Sequence, residues 1–462
     1  MVFSSVEFLF RFLIIFLIAY YFTPKKYKNY TLLLGSLIFY AFGEPIYVLL
    51  MILSIFINYE MAKKMCKSDN KKRYLISALV LDVGILFVFK YLNFFIDNIN
   101  GIAGHEILPA TNIALPIGIS FYTFQIISYM VDVYKGKYPV ENRLVPFATY
   151  VSMFPQLIAG PIVNYNEVRE ELRDRRVRFK DIEAGTVAFV IGFTYKVILA
   201  NQIGTLWDDV LTHGVLGINA PVAWLGAWSF SFQILFDFAG YSMMAIGLGR
   251  IMGFYLPMNF IDPYTSRSAT EFWRNWHITL GRWFREYVYI PLGGNRKGKA
   301  RMIFNLFVTW ALTGLWHGAS WNFVLWGVMF FVILMIEKLF LLKYLEKSKI
   351  LSRLYMLTLI PVSWVIFDIN SIKDALLYIK RMFFVPIAGT VEIDGMKMFA
   401  DYAKDYWWLF GLCILCATPI PMKLIDKYYD KLITKIVFVV LFWIGVYFML
   451  ISENNPFLYF RF

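Results

Sequence analysis

The sequence predicts an all-α, polytopic membrane protein of roughly eleven transmembrane helices with additional interfacial and re-entrant helices. Of the 462 residues, 59% are hydrophobic and 19% aromatic, but only 17% are charged. A soluble globular domain is closer to half apolar and a quarter charged. The mean hydropathy of +0.58 points the same way. This composition excludes a soluble enzyme.

Long apolar stretches are the second observation. A helix that crosses the ~30 Å hydrocarbon core of a bilayer needs about 20 residues. Allowing for split segments, such as the one broken at Pro45, we expect roughly ten to twelve crossings or re-entrant pieces. The first stretch carries Glu7 and Arg11 and has no cleavage site of small residues, so we expect a retained helix rather than a signal peptide. The stretches are 6–22, 30–59, 75–96, 114–133, 145–163, 184–203, 222–252, 302–336, 354–367, 407–420 and 436–451.

The charge distribution is the third observation. The formal net charge is +13, but the basic residues are grouped in short loops between the apolar stretches. Basic loops beside spans mark the cytoplasmic side of a membrane protein, which accounts for the charge without a nucleic acid. Loops 63–73 and 169–180 are therefore predicted to face the cytoplasm. Because no linker rich in Gly, Ser or Pro divides the chain, residues 1–462 are predicted to form a single transmembrane domain.

The cysteines offer little chemistry. Cys66, Cys413 and Cys416 are too few for a disulfide framework. The C-x-x-C pair lies inside an apolar run with no histidine nearby, so we interpret it as two small buried residues. No metal site is predicted.

Residues 271–289 are predicted to form one helix that lies in the membrane interface. Trp273, Trp276, His277, Leu280 and Phe284 recur at helical spacing on one face, and the charged residues fall mainly elsewhere. An aromatic stripe with a charged flank is typical of a helix that lies along the interface. Packing alone explains the aromatic residues, but it does not explain a histidine in the middle of the stripe.

His317 is the strongest candidate for chemistry. It lies in an apolar run long enough to cross a membrane, between Gly314 and Gly318, which would let another backbone approach closely. Ionisable groups at such depth usually face a cavity or a partner, although a simple bond to a neighbouring carbonyl is the structural alternative. Neutral imidazole is a suitable general base at physiological pH. His105 and His213 lie in polar loops and are predicted to be exposed bystanders.

Two further polar residues lie inside an apolar stretch. Gln233 and Asp237 either line the same cavity as the histidines or pair with neighbouring helices. The chain has no nucleophile elbow, no phosphate-binding P-loop and no H-E-x-x-H motif, which removes the rival hydrolase, nucleotide and zinc chemistries.

Two motifs resemble one known family. Residues 271–298, EFWRNWHITLGRWFREYVYIPLGGNRKG, and residues 313–327, TGLWHGASWNFVLWG, resemble the signatures of bacterial membrane-bound O-acyltransferases (MBOAT) of the alginate O-acetylation type. The IPLGGNRKG run favours this branch over the D-alanyl transfer branch. Shorter similarities lie at 116–137, 154–161, 236–249 and 455–462.

The resemblance implies a helical bundle around a central funnel in a bacterial cytoplasmic membrane. No cofactor would be bound, and acetyl-CoA would be the cytoplasmic co-substrate. The acetyl group would pass toward hydroxyls of an extracytoplasmic polysaccharide such as an alginate-like exopolysaccharide. An extracytoplasmic SGNH-type acetyltransferase partner would complete the transfer.

The resemblance also assigns roles to residues. His317 matches the catalytic histidine, and His277 matches a second polar position of the family. We expect His317 to be the base and His277 to orient the donor or to stabilise the oxyanion, with the reverse order left open. Trp316, Asn322, Asp237 and Gln233 are tunnel candidates. Arg274, Arg282 and the basic loop 296–301 are candidates to hold the donor's phosphates, although a loop that only sets topology explains them equally well.

Other functions remain open at this stage. The same fold could acetylate peptidoglycan or transfer D-alanine to teichoic acid. A transporter for a polysaccharide precursor or lipid predicts matching broken helices in two related halves, which the sequence does not show. A scaffold of a secretion complex would leave His317 unexplained.

Overall fold

The computed structural model describes residues 2–387, 394–452, 457 and 458. Within these residues the chain is helical and contains no β-strand, which confirms the all-α prediction. The chain divides into two compact units. Unit one comprises Met1–Phe189 and Tyr241–Met258, and unit two comprises Val190–Gly240 and Asn259–Phe462. The prediction of a single domain stays a prediction.

Several helices continue through a π-helical turn. Such turns lie at Glu7–Phe12, Phe87–Tyr91, Tyr195–Ala200, Arg285–Tyr289 and Glu337–Leu341. The α-helices are α1 Leu13–Phe22, α2 Lys28–Gly43, α3 Tyr47–Lys67, α4 Lys71–Leu86, α5 Leu92–Ala103, α6 Ile119–Tyr134, α7 Leu144–Ser152, α8 Phe154–Leu157, α9 Tyr165–Arg173, α10 Phe179–Thr194, α11 Asn201–Thr212, α12 Ala220–Ile251, α13 Ala269–Asn275, α14 Ile278–Phe284, α15 Lys299–His317, α16 Trp321–Ile336, α17 Leu342–Lys347, α18 Lys349–Asp368, α19 Ile372–Met382, α20 Gly395–Cys416, α21 Ile420–Tyr428 and α22 Leu432–Ile451.

Six helical segments are long and apolar enough to cross a membrane. A seventh is possible if α20 and α21, which are bent by 68° at their junction, form one broken span. The described part of the chain therefore has the features of a multi-pass membrane protein, whereas the count of roughly eleven spans is not confirmed. The six segments are Lys71–Ala103, Phe179–Thr212, Ala220–Ile251, Trp321–Lys347, Lys349–Asp368 and Leu432–Ile451.

The structure tests two helix boundaries that the sequence predicts. The break at Pro45 is confirmed, because α2 ends at Gly43 and α3 begins at Tyr47. The prediction of a single helix for the apolar run 145–163 is wrong. This run forms α7 and the short α8, because Met153 is extended and Pro155 stands in the first turn of α8, where a proline fits but could not continue α7.

In unit one, polar side chains pack between apolar helices. Asn58 of α3 donates a hydrogen bond to the carboxylate of Asp82 in α4, with 2.8 Å between Nδ2 and Oδ1, and both side chains are buried. A hydrogen bond between two helices is a common way to satisfy polar groups in an apolar bundle. We assign this pair to helix packing.

In unit two, α15 and α16 form a tight helical hairpin. A Cβ atom on Gly314 would overlap the carbonyl oxygen of Phe323, and one on Gly327 would overlap that of Trp310. Only glycine permits this approach of the two backbones, as the spacing of small residues predicted for Gly314. The start of α16, just after the turn of this hairpin, bonds the end of α18 through Asn322 and Phe367.

The exposed thiol of Cys66 allows a direct test of topology. Cys66 lies in the basic segment 63–73, and Cys413 is buried. If this segment faces the cytoplasm, a membrane-impermeant maleimide should label Cys66 in inverted vesicles but not in intact cells. Cys66→Ser provides the background, and Arg176→Cys in that background tests the segment 169–180. Efficient labelling of either site from outside intact cells would overturn the predicted orientation.

Candidate active site

The segment around His277 is not the continuous helix that the sequence predicts for 271–289. Helix α13 ends at Asn275, Trp276 is extended, and α14 begins at Ile278. His277 itself has φ of +45°, in the left-handed region that non-glycine residues rarely adopt. The aromatic residues do pack inward, but the backbone turns at the histidine. Whether α13 and α14 lie along the membrane surface stays a prediction.

Main-chain contacts from Asn259 and Ile261 hold this turn. The amide of Ile278 donates to the carbonyl of Asn259 at 3.0 Å, and the amide of Ile261 donates to that of Asn275 at 3.0 Å. The side-chain oxygen of Asn259 lies 3.1 Å from Nδ1 of His277. A strained backbone conformation of this kind persists only where the surroundings fix it, and it is common at functional sites.

A buried carboxylate anchors the start of α13. Glu337 is buried and accepts hydrogen bonds from the amides of Ala269 and Thr270, at 2.6 and 2.8 Å. The hydroxyl of Tyr355 donates to the same carboxylate at 3.0 Å. An anion at a helix N-terminus satisfies amides that have no intrahelical partner. Glu337 is not among the residues predicted from the sequence, although a single acidic residue in the apolar run that continues α16 is a usable signal.

His317 lies at the end of a helix rather than in the middle of a span. It is the last residue of α15, because Gly318 is extended and α16 begins at Trp321. The long apolar run 302–336 is thus a hairpin. The imidazole is buried against the rings of Trp316, Trp326 and Phe367, with centroid distances of 5.1, 5.2 and 5.2 Å.

The structure brings the two predicted histidines to one aromatic wall. The ring of Trp316 lies 5.8 Å from that of His277 and 5.1 Å from that of His317, between centroids. His277 also packs edge-on against Phe238 at 4.7 Å. Two residues that are forty positions apart in the chain therefore share Trp316 as a neighbour.

Each histidine lines its own cavity. His317 faces a small cavity of about 10 Å³, which is room for about one water molecule. His277 faces a cavity of about 790 Å³, the size of a small-molecule site. Trp276 lines both cavities and stands between them.

The larger cavity is basic. Arg274, Arg282, Arg285 and Lys338 line it together with aromatic and aliphatic side chains. The loop 296–301, a predicted phosphate site, contributes none of the lining residues. Within that loop, Arg301 donates from Nε to the carbonyl of Leu292 at 3.1 Å. The two predicted arginines therefore line this cavity together with Arg285 and Lys338, whereas their role as phosphate ligands stays a prediction.

Burial lowers the pKa of His277 and leaves its imidazole neutral. The side chain lies outside the six candidate spans but is enclosed by protein, and this desolvation lowers its pKa to about 3. The imidazole therefore carries no charge across the physiological pH range, beside a cavity whose charged lining is basic.

Asp237 lines the cavity of His317, but not that of His277, and it also pairs with a neighbouring helical segment. Its carboxylate forms an ion pair with Lys196 and accepts the amide of Leu458 at 2.8 Å. Asp237 and Lys196 are both buried. Lys196 was missed, although a lysine in the apolar run 184–203 is a recognisable signal.

Other predicted site residues lie elsewhere. Gln233 packs against Gly204 and does not line the cavities of the two histidines. Asn322 donates to the carbonyl of Phe367 at 2.8 Å and so ties α16 to the end of α18. His105 and His213 are exposed, as predicted. Of the similar segment at 455–462, only residues 457 and 458 are described.

The region around the two histidines matches a known protein family. Residues 139–365 match the model of MBOAT, the membrane-bound O-acyltransferase family. That region contains both histidines and all four basic residues of the larger cavity. The chain belongs to the membrane-bound O-acyltransferase family. It is thus a multi-pass membrane enzyme that transfers acyl groups to hydroxyl oxygens.

The relatives cover several acceptors. The chain is 36% identical over 488 residues to the probable alginate O-acetylase AlgI of Pseudomonas putida, covering 100% of both chains. It is 33% identical over 437 residues to the peptidoglycan O-acetyltransferase of Helicobacter pylori, covering 86% of this chain and 81% of that one. It is 30% identical over 257 residues to the teichoic acid D-alanyltransferase of Streptococcus thermophilus, covering 51% and 59%.

Proposed function

We propose that this enzyme moves an acetyl group from cytoplasmic acetyl-CoA toward hydroxyls of an extracytoplasmic polysaccharide. The acceptor would be an alginate-like exopolysaccharide, reached through an SGNH-type partner protein. The enzyme would lie in a bacterial cytoplasmic membrane, with about eleven spans around a central funnel. The similarity to alginate O-acetylases over the whole chain supports acetyl as the acyl group. The shorter match to the D-alanyltransferase gives less support to that alternative.

The main support for this proposal is the arrangement of the two cavities. A basic cavity of about 790 Å³ reaches His277, and a second, small cavity reaches His317. Trp276 lines both cavities, and the ring of Trp316 lies against both imidazoles. The donor would enter by the basic cavity, and only the hydroxyl group of the acceptor, about the size of one water molecule, would occupy the small cavity at this aromatic wall.

The basic cavity suits the donor. Coenzyme A carries several phosphate charges at one end and an apolar pantetheine arm with the thioester at the other. Arginine binds phosphate through paired hydrogen bonds, which makes Arg274 and Arg282 suitable phosphate ligands at the cavity. Trp273 and Leu280, which also line it, would contact the pantetheine arm. His277 would orient the thioester end.

The chemistry follows from the position of His317. Its imidazole takes the proton of the acceptor hydroxyl while the oxygen attacks the thioester carbonyl. The tetrahedral intermediate collapses as the carbon–sulfur bond breaks, leaving the acetyl ester and the coenzyme A thiolate. The imidazolium then gives its proton to the thiolate, which restores neutral histidine.

Acetyl-CoA turnover in proteoliposomes tests the function directly. The purified enzyme should release free coenzyme A thiol and transfer radiolabelled acetyl groups to a hydroxyl acceptor supplied on the opposite side of the membrane. D-alanyl carrier protein should not replace acetyl-CoA as the donor. If no thiol is released from acetyl-CoA, and labelled D-alanine is transferred instead, the proposed donor is wrong.

The arginines of the basic cavity give a second test. We expect Arg274→Ala with Arg282→Ala to raise the KM for acetyl-CoA about five- to tenfold, because two partly exposed charge-assisted contacts are lost. The kcat should change little, since these contacts are made equally in the ground and transition states. The effect should shrink at high salt.

The matched control is Lys347→Ala, which removes an exposed charge from the basic segment 343–349 without reaching the cavity. Steady-state kinetics of thiol release measures both constants. An unchanged KM in the double variant would exclude this cavity as the phosphate site.

A further inference from the structure

Asn259 is the feature of this site that the proposed chemistry does not use. It precedes α13 by ten residues, is fully buried, and bonds the turn at His277 through both its main chain and its side chain. Its side-chain oxygen has three donors around it: Nδ1 of His277 at 3.1 Å, the amide of Thr279 at 3.3 Å and the hydroxyl of Thr279 at 2.9 Å.

The amide of Thr279 fixes the orientation of the Asn259 side chain. A backbone N–H can only donate, so the atom of Asn259 that faces it must be the carbonyl oxygen and not the NH₂ group. The usual ambiguity of an asparagine amide is therefore removed. Since that same oxygen faces His277, Nδ1 of the imidazole must carry a hydrogen in order to bond to it.

A neutral imidazole has one N–H and one lone pair. With the hydrogen on Nδ1, the lone pair lies on Nε2. Nε2 of His277 is buried and has no hydrogen-bond partner among the residues that the structure describes. The ring of His277 is one of the residues that line the donor cavity, while Nε2 itself is enclosed by protein, so it can bond only to a group that inserts beside the ring and brings its own N–H.

We propose that Asn259 is a positioning residue that holds His277 in the Nδ1–H tautomer, so that Nε2 accepts a hydrogen bond from an amide N–H of the acyl donor. This inference rests on the proposed function of the cavity as the donor site. It also distinguishes the two roles predicted for His277, which are to orient the donor or to stabilise the oxyanion. An acceptor nitrogen can orient a pantetheine amide, whereas it cannot stabilise an oxyanion.

Asn259 also supports the strained turn, so its role must be separated from simple structural support. Asn259→Asp retains an acceptor oxygen of the same shape for all three donors. The added negative charge at Nδ1–H should raise the pKa of His277 from about 3 by about one to three units. The acid limb of the pH–rate profile should move up by the same amount, because a protonated Nε2 no longer accepts a hydrogen bond.

Asn259→Leu removes the acceptor at nearly constant volume. Without it, the hydrogen is no longer held on Nδ1, and most of the imidazole should carry it on Nε2. We expect the KM for acetyl-CoA to rise about tenfold, because most of the enzyme molecules lose one hydrogen bond to the acyl donor. Asn305→Leu is the matched control, because Asn305 is equally buried and bonds the carbonyl of Gly294. It should leave the pH profile unchanged.

The tautomer of His277 can be measured without an activity assay. ¹⁵N spectra of the histidine-labelled enzyme in nanodiscs distinguish a protonated from an unprotonated ring nitrogen, and His277→Gln identifies the signal. We expect Nε2 to be unprotonated in the wild type and in Asn305→Leu. A wild-type signal with hydrogen on Nε2 overturns the inference whatever the variants do.

The failures of the two proposals are distinguishable. In one case the expected tautomer is present and Asn259→Leu shifts it, but the KM for acetyl-CoA is unchanged in both Asn259→Leu and His277→Gln. Asn259 then sets the tautomer, and the proposed role of His277 in binding the donor is wrong. If Asn259→Leu leaves the spectrum of the wild type and Asn259→Asp leaves its pH profile, the positioning role is overturned.

Discussion

Replacement of His317 by alanine is expected to lower acetyl transfer by about 10²- to 10⁴-fold, the usual contribution of a general base. The imidazole is the only titratable group of its cavity other than Asp237 among the described lining residues, and Asp237 is engaged by Lys196. No other side chain of that cavity can take the acceptor's proton. The measurement is acetyl transferred per enzyme in proteoliposomes, at matched protein levels.

Loss of fold must be separated from loss of chemistry. His317→Gln keeps most of the volume between Trp316, Trp326 and Phe367 and should be as inactive as the alanine variant. His213→Ala is the matched control, because this histidine is exposed and bonds only Tyr402 at 3.2 Å in the described structure. Near-normal transfer by both His317 variants would exclude it as the base.

The sequence predicts those parts of the fold that depend on local composition. Apolar stretches of about 20 residues and basic loops indicate a polytopic membrane protein without reference to any contact. Pro45 marks a true break, since a proline cannot continue the helix before it. His317 stands out because an imidazole in apolar surroundings is costly and rarely accidental. The glycine at position 314 predicts the close approach that α15 and α16 make.

Turns set by distant contacts could not be predicted. The helical spacing from Trp273 to Phe284 is real, but the chain turns at His277 because Asn259 bonds both sides of it. Periodicity records which side chains are buried and contains no information on a left-handed residue within the pattern. The single run 302–336 is likewise a hairpin, because Gly318 and Ser320 are extended.

Pairing across long sequence separations is the other part that the sequence did not show. Glu337 caps a helix that begins 68 positions earlier, and Asn259 reaches His277 across eighteen. Lys196 and Asp237 are each visible as a charge in an apolar run, but nothing in either run identifies the other as its partner. The sequence predicts Asp237 as a cavity candidate, but its charge partner follows only from the three-dimensional structure.

The ion pair between Lys196 and Asp237 should be essential for stability. Both side chains are almost fully enclosed, and removal of one partner of a buried pair typically costs about 3 to 5 kcal/mol, because the other charge is left in a medium of low dielectric constant. We therefore expect Asp237→Asn and Lys196→Met each to lower the Tm of the purified enzyme by about 5 °C or more.

Asp237→Asn is a sharp test because it changes the charge and little else. The amide oxygen can still accept the hydrogen bond from Leu458, so the contact of 2.8 Å to that residue need not be lost. Asp401→Asn in α20 is the control, since its carboxylate is exposed and should change the Tm by less than about 1 °C. Thermal unfolding in detergent, followed by circular dichroism, compares all three variants with the wild type.

The double variant separates stability from chemistry at this pair. Lys196→Met with Asp237→Leu replaces both charges by apolar side chains, which is often neutral for stability, so the Tm should recover most of the loss. Acetyl transfer should not recover to the same extent, because Asp237 lines the cavity of His317 and a leucine there makes it apolar. Single variants that unfold at the wild-type temperature would show that the pair contributes little. A double variant with full activity would show that its charges serve only the fold.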